Sequence, residues 1–201
     1  MIRRTVLAGL IMIVGAFGAP ATLAAADPAA VINNLGNRAL EVLGKNATPA
    51  QRVARFHELF REDFDVPGLA RFVLGRYWKT ATPEEQEEFV KLFEDYIALV
   101  YSNQLAAYSG ETLKVTGSRT SAEEAIVASE IIRPTGSPPV KVDWHLTDRN
   151  GTYKISDVTV DGISMAVTQR SEFASVIQRS GGQVAGLIAQ LREKTAAATP
   201  H

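Results

Sequence analysis

The residues able to do chemistry are few and scattered. Three histidines, His57, His145 and His201, stand far apart. His57 falls at the solvent boundary of a helical pattern, His145 on the polar face of a strand pattern and His201 at the end of the chain. None has a partner at metal-ligand or triad spacing. Asp143 and Asp157 fall on what read as neighbouring strands, where two carboxylates could divide acid and base roles. The plainer reading is of strand-face charges paired with Lys141 or Lys154. Glu84, Glu85, Glu87 and Glu88 read as a solvated helix start, with a partner-docking patch as the alternative. The chain contains no Cys, which removes thiolate metal sites and the cysteine nucleophile. HExxH, P-loop, GxSxG and dinucleotide glycine fingerprints are all missing. Asn46-Ala47-Thr48 and Asn150-Gly151-Thr152 match the glycosylation sequon, but they read better as a helix start and a turn.

The elements that would position these groups run helices, strands, helices. Asp27-Pro28 and Thr48-Pro49 each supply an N-cap followed by proline at the first helical position, opening helices to about Gly44 and Arg61. A short helix, Leu69–Leu74, follows Val66-Pro67-Gly68. Thr82-Pro83-Glu84-Glu85 has the spacing of a capping box and opens a helix expected to reach Tyr108. Its apolar stripe includes Phe89, Phe93, Ile97, Val100, Tyr101 and Leu105. From Glu111 the period changes to two. Val140, Val142, Trp144 and Leu146 alternate with polar residues, the mark of a half-buried strand. Asp148-Arg149-Asn150-Gly151 reads as a hairpin turn. Gly162 ends the last strand, Ser164 caps a helix, and Gly181-Gly182 separates it from a final one, Val184–Lys194. These elements predict an α+β fold: a four-stranded antiparallel meander with helices packed on one face.

The ends speak to localisation. Residues 1–26 carry Arg3 and Arg4, an apolar run from Val6 to Phe17, and Ala24-Ala25-Ala26 as a cleavage site, the layout of a signal peptide. The run is shorter than the ~20 residues a membrane span requires. No Cys follows it, so lipoprotein anchoring is excluded. Cleavage after Ala26 removes two Arg and no acid, leaving 19 basic against 22 acidic residues, a charge of −3. That balance argues against nucleic acid as a partner. Residues 27–194 suit one domain, with 195–201 expected to be a disordered tail.

Four stretches carry a resemblance. They are Phe64–Trp78 (FDVPGLARFVLGRYW), Thr80–Tyr101 (TATPEEQEEFVKLFEDYIALVY), Pro138–Asp143 (PPVKVD), and the run Asp157–Gly182 with the following Leu187–Leu191. In this order, across nearly all of the mature chain, they resemble the MlaC-type (toluene-tolerance) family of periplasmic phospholipid-binding proteins. The resemblance implies a curved NTF2-like sheet wrapped by N- and C-terminal helices, with a pocket between them for phospholipid acyl chains. It implies a periplasmic carrier with lipid as its ligand and no other cofactor, and a monomer suits such a soluble shuttle. The expected partners are an outer-membrane lipoprotein complex and the MCE-domain subunit of an inner-membrane ABC transporter. A related branch is associated with hopanoid biosynthesis, and the motifs fit either branch.

Periodicity then nominates the pocket lining. Leu74, Phe93, Ile97, Val100 and Tyr101 come from the helices. Val115, Val127, Val142 and Trp144 come from the sheet, and Ile163 and Val167 from the turn into the penultimate helix. Ordinary core packing of the same faces is the competing reading. Two other classes remain open: a small enzyme on an NTF2-like sheet, which would need an inward-facing Asp143 or Asp157, and a cavity-free protein-interaction module.

Overall fold

The computed structural model describes residues 27–42, 47–105, 110–121 and 123–196. Four helices precede the sheet: α1 (Pro28–Val42), α2 (Pro49–Asp63), α3 (Val66–Leu74) and α4 (Pro83–Leu105), with a 3₁₀ turn at Gly75–Lys79 after α3. The strands are β1 (Thr112–Thr120), β2 (Glu124–Ile132), β3 (Val140–Arg149), β4 (Thr152–Val160) and the two-residue β5 (Ile163–Ser164). Helices α5 (Met165–Arg179) and α6 (Val184–Ala196) close the chain. The fold is α+β, as expected. The sheet has five strands rather than four, in the order β1-β2-β3-β4-β5, all antiparallel. The extra strand folds back through Asp161-Gly162, both at positive φ (47° and 84°), onto Thr159 and Val160.

Local chemistry accounts for the helix starts. Thr48 and Gln51 form a reciprocal capping box at α2. At α4 the Thr82 amide donates to Glu85 Oε2 at 2.9 Å and the Glu85 amide to Thr82 Oγ1 at 3.2 Å. Asp65 caps α3 by accepting from the Gly68 amide, so that helix begins at Val66, three residues before the expected Leu69. Helix α6 continues through Ala196, where Thr195 Oγ1 donates back to the Leu191 carbonyl at 2.9 Å. Residues 195 and 196 of the expected tail are therefore helical, and its remainder lies outside the described residues. So do the ends foreseen near Gly44 and Tyr108 and the whole 1–26 segment.

Two irregularities bend the sheet. The β1–β2 register shifts between Val115 and Gly117, and the β3–β4 register shifts between His145 and Leu146. An extra residue on one strand raises the local twist and curves the ladder. On the face turned to the helices, Ala125, Val127 and Ser129 of β2 lie beside Val142, Trp144 and Leu146 of β3. Helix α1 covers the β1–β2 side of the sheet, and α2, α3 and α5 reach β4. Helix α4 packs on α2, α3 and α6.

The apolar interior is consequently divided. One cluster is helical, built around Phe60, Leu74, Phe89, Phe93, Phe173 and Leu187. The other joins Ile32 and Leu35 of α1 to Ala125, Val127, Leu146 and Ile155 of the sheet. Phe64, at the α2–α3 corner, packs against both. It sits there because its backbone bridges Ile155 of β4, whose carbonyl accepts from the Asp65 amide at 2.9 Å.

Candidate functional site

The structure distributes the eleven nominated residues unevenly. Leu74, Phe93 and Ile97 lie inside the helical cluster, with Tyr101 packed against it. Val127 lies inside the sheet cluster, with Val115 and Trp144 packed against it. Val142 is 1% exposed yet joins neither cluster. Val100, one residue before Tyr101 on α4, is half-buried. Ile163 and Val167 lie on the outside, 60% and 52% exposed. At the turn into α5, the residues buried instead are Ala166, Phe173 and Ile177.

The sheet side of this arrangement holds one polar contact. Trp144 Nε1 donates to Ser129 Oγ at 2.9 Å, and Ser129 Oγ donates to the Val142 carbonyl at 3.1 Å. This satisfies the indole N–H within an apolar face and fixes the ring across β2 and β3. Buried polar groups need such partners, because an unpaired one costs about 1–3 kcal/mol.

The helical side is a ladder of rings. Phe173 of α5 meets Phe89, Phe93 and Tyr96 of α4 at centroid distances of 5.8, 6.3 and 6.0 Å. Tyr101 continues along α4 and stacks on Phe56 at 6.4 Å. Burial raises the Tyr101 phenol above the usual 10.0, and the charges of Glu172 and Asp157 raise it further. Burial and Glu172 do the same to Tyr96. Two tyrosines of α4 thus sense Glu172 on α5, and Tyr101 also senses Asp157 on β4.

A groove of about 500 Å³ has Tyr96 on one side and Glu172, Val176, Arg179, Leu187 and Lys194 among its other walls. Its volume falls within the ~300–1,000 Å³ common for ligand sites. None of the eleven nominated residues lines it. Its signal in the sequence is the polar row Ser171, Ser175 and Arg179, spaced four apart on α5, with Phe173 and Val176 of the same helix lining the groove beside it. A smaller recess of about 230 Å³ between α3 and α5 includes Leu74, Arg76 and Arg170.

The residues first considered for chemistry have other work. Asp157 does not pair with Lys141 or Lys154. Its carboxylate accepts from Ser164 Oγ and from the Ala166 amide at 3.0 Å, clasping β4 to the start of α5. Lys154 Nζ donates instead to the Glu62 carbonyl, and Lys141 meets Asp161 through its backbone amide. His57 is not isolated, because its ring contacts Asp95 at 3.0 Å and Glu94 at 3.3 Å, tying α2 to α4. His145 Nε2 lies 3.3 Å from Thr159 Oγ1. Glu88 of the acidic run pairs with Arg192 of α6. No three His, Cys, Asp or Glu residues converge to hold a metal among the described residues. None of the helices searched there is long and apolar enough to cross a membrane.

Comparison with known proteins places this geometry. The sequence model of the MlaC protein family matches residues 33–193. The toluene tolerance protein Ttg2D of Pseudomonas putida is 25% identical over 184 residues, covering 88% of this chain and 84% of its own. The intermembrane phospholipid transport system binding protein MlaC of Haemophilus influenzae is 24% identical over 113 residues, covering 54% of this chain and 53% of its own. Among solved structures, a phospholipid-binding protein from Ralstonia solanacearum, determined in complex with a phospholipid, is similar with a TM-score of 0.72. It is 24% identical, and the match covers 86% of this chain and 99% of its own.

Proposed function

The chain belongs to the MlaC family, and from that premise we propose that it is a lipid carrier, a binding protein rather than an enzyme, that shields phospholipid acyl chains between its helical layer and its sheet. The observation that carries this reading is the divided interior. The apolar faces of α4 and of β2–β3 belong to separate clusters, with Phe64 packed against both. The two clusters meet at Phe64 while α1 holds to the β1–β2 side of the sheet, so acyl chains would enter by parting α4 from the sheet rather than by opening the whole helical layer. The bound state is then a shifted population of an openable fold.

The energetics suit transport. Each buried methylene is worth ~0.8 kcal/mol, so two chains of about sixteen carbons carry a gross burial term on the order of 25 kcal/mol. Chains of that kind do not cross water exposed. A carrier must cover them almost completely and release them only to a receptor offering comparable burial. The relative named for an intermembrane phospholipid transport system, and the solved neighbour that holds a phospholipid, support the same ligand for this chain. On this reading residues 1–26 export the protein to the periplasm and are removed. The mature domain then exchanges lipid with an outer-membrane lipoprotein complex and with the MCE-domain subunit of an inner-membrane ABC transporter.

Mass spectrometry of organic extracts from gently purified protein tests the proposal. Co-purifying phospholipid is the expected result, and a hopanoid would move the protein to that ligand class. Extracts free of any lipid, from protein expressed with its export segment, would overturn the carrier reading.

A further inference from the structure

We propose that the α3–α5 edge of the domain docks on an anionic phospholipid bilayer surface. Three large apolar side chains stand exposed around this edge: Phe72 of α3 at 42%, Val167 of α5 at 52% and Ile163 of β5 at 60%. Arg170, one turn beyond Val167, lays its guanidinium over the Phe72 ring at 5.2 Å, which places the two helices' contributions side by side. Arg76 lines the same small recess as Arg170, and Arg71 is exposed beside Phe72.

These arginines lack carboxylate partners. Arg71, Arg76 and Arg170 form no ion pair among the described residues, whereas Arg38, Arg61 and Arg192 each close on an acid of a neighbouring helix. The segment Val66–Lys79 contains no Asp or Glu at all. Two of the guanidinium groups are also held in place. Arg76 lies 4.8 Å over the Tyr77 ring. Arg170 Nε occupies the space of a side chain at Gly75, only 2.8 Å from where a Cβ would stand, and Gly75 holds φ 57°. A cation fixed by packing, with no acid beside it, is arranged for an anion from outside.

Charge and size select the occupant. The mature chain is acidic overall, so a basic edge that also exposes apolar side chains gives it one preferred face towards a negative surface. A stable protein interface needs about 800 Å² per partner with a packed apolar centre. Three scattered apolar side chains among arginines are a smaller feature, suited to shallow insertion at the headgroup level. The docking does not depend on lipid being carried inside the domain.

Cosedimentation with vesicles of phosphatidylglycerol mixed into phosphatidylcholine, against phosphatidylcholine alone, tests the assignment. Binding is expected only to the anionic vesicles and should be lost in high salt. Each arginine neutralised, as Arg71→Gln or Arg76→Gln, should lower partitioning by about fivefold. Phe72→Ser should weaken it at low salt without changing its salt dependence. Arg71 is exposed and makes no side-chain hydrogen bond or ion pair among the described residues, so Arg71→Gln should leave circular dichroism and co-purifying lipid unchanged, which separates this result from a failure of lipid carriage. Equal binding to both vesicle types, undiminished binding of the arginine variants, or retention that requires an added acidic protein would each overturn the proposal.

Discussion

Trp144 and Ser129 form the one described side chain–side chain hydrogen bond between strands β2 and β3, with indole Nε1 2.9 Å from Oγ. Ser129 is buried and Trp144 half-buried, so this contact sets the ring's orientation on the face that meets the helices. Removing the acceptor with Ser129→Ala leaves the indole N–H unpaired. The expected loss is about 1–3 kcal/mol in denaturant unfolding, together with a shift of tryptophan emission.

Val142 and Ile97 distinguish a carrier from a solid core. Val142 is 1% and Ile97 8% exposed, the first outside both clusters and the second on the helical side. A glutamate buried in a packed core would unfold the domain, since an unpaired buried charge is very costly. A glutamate facing openable space can hydrate once lipid is excluded. Val142→Glu and Ile97→Glu should therefore give folded protein, by circular dichroism, that purifies without lipid. Normal lipid content in either variant would remove that residue from the site.

The tyrosines predict alkaline behaviour. Burial, reinforced by Glu172, holds Tyr101 and Tyr96 above 10.0 in the folded protein. The folded state then keeps its protons where the unfolded chain has begun to lose them. Their contribution to stability is accordingly full below pH 10 and falls as pH rises through the raised values. Tyrosinate absorbance should show two late-titrating groups, and Tyr101→Phe should remove one. Bound lipid should delay Tyr101 further, because it adds desolvation.

Asp63 gives an acid-side counterpart. Its carboxyl is raised above 3.8 chiefly by burial, an effect that the adjacent Arg38 opposes. The folded protein therefore binds more protons than the unfolded chain just above pH 3.8, and this group's contribution to stability falls as pH rises through that window. Asp63→Asn should flatten that part of the stability profile. Arg38→Ala should steepen it, because the opposing cation is gone.

The parts of this fold that were legible in the sequence were the local ones. Thr48-Gln51 and Thr82-Glu85 sit three apart, and both form their capping boxes. Asn150-Gly151 takes the positive φ values that its turn requires, 58° and 84°. Alternation from Val140 to Leu146 reported the face of β3 correctly, because a strand's period of two leaves little freedom. Long-range partners were not legible in this way. The wide stripe of α4 said that it buries something; only tertiary packing says that it faces α2, α3 and α6.

The candidate site shows the same division. The burial of Val127 and Phe93 was legible in the apolar period of their elements. Ile163 and Val167 were nominated from the same apolar pattern and lie outside. The clasp of Asp157 on Ser164 and Ala166 turns the start of α5 so that Ala166 points inward instead. The β5 return and that clasp are tertiary pairings, and neither leaves a mark in hydrophobic spacing. The groove beside Tyr96 was missed because its walls mix apolar and charged residues drawn from three helices.

The central claim is that acyl chains lie between α4 and the sheet. A phospholipid carrying a photoreactive group midway along one acyl chain, loaded into the full mature protein and activated, tests it most directly. Peptide mapping should place the adducts on Ile97, Val100 or Tyr101 of α4 and on Val142 or Trp144 of β3. Adducts confined to the groove walls on α5 and α6, or to the exposed Phe72 and Val167, would contradict it.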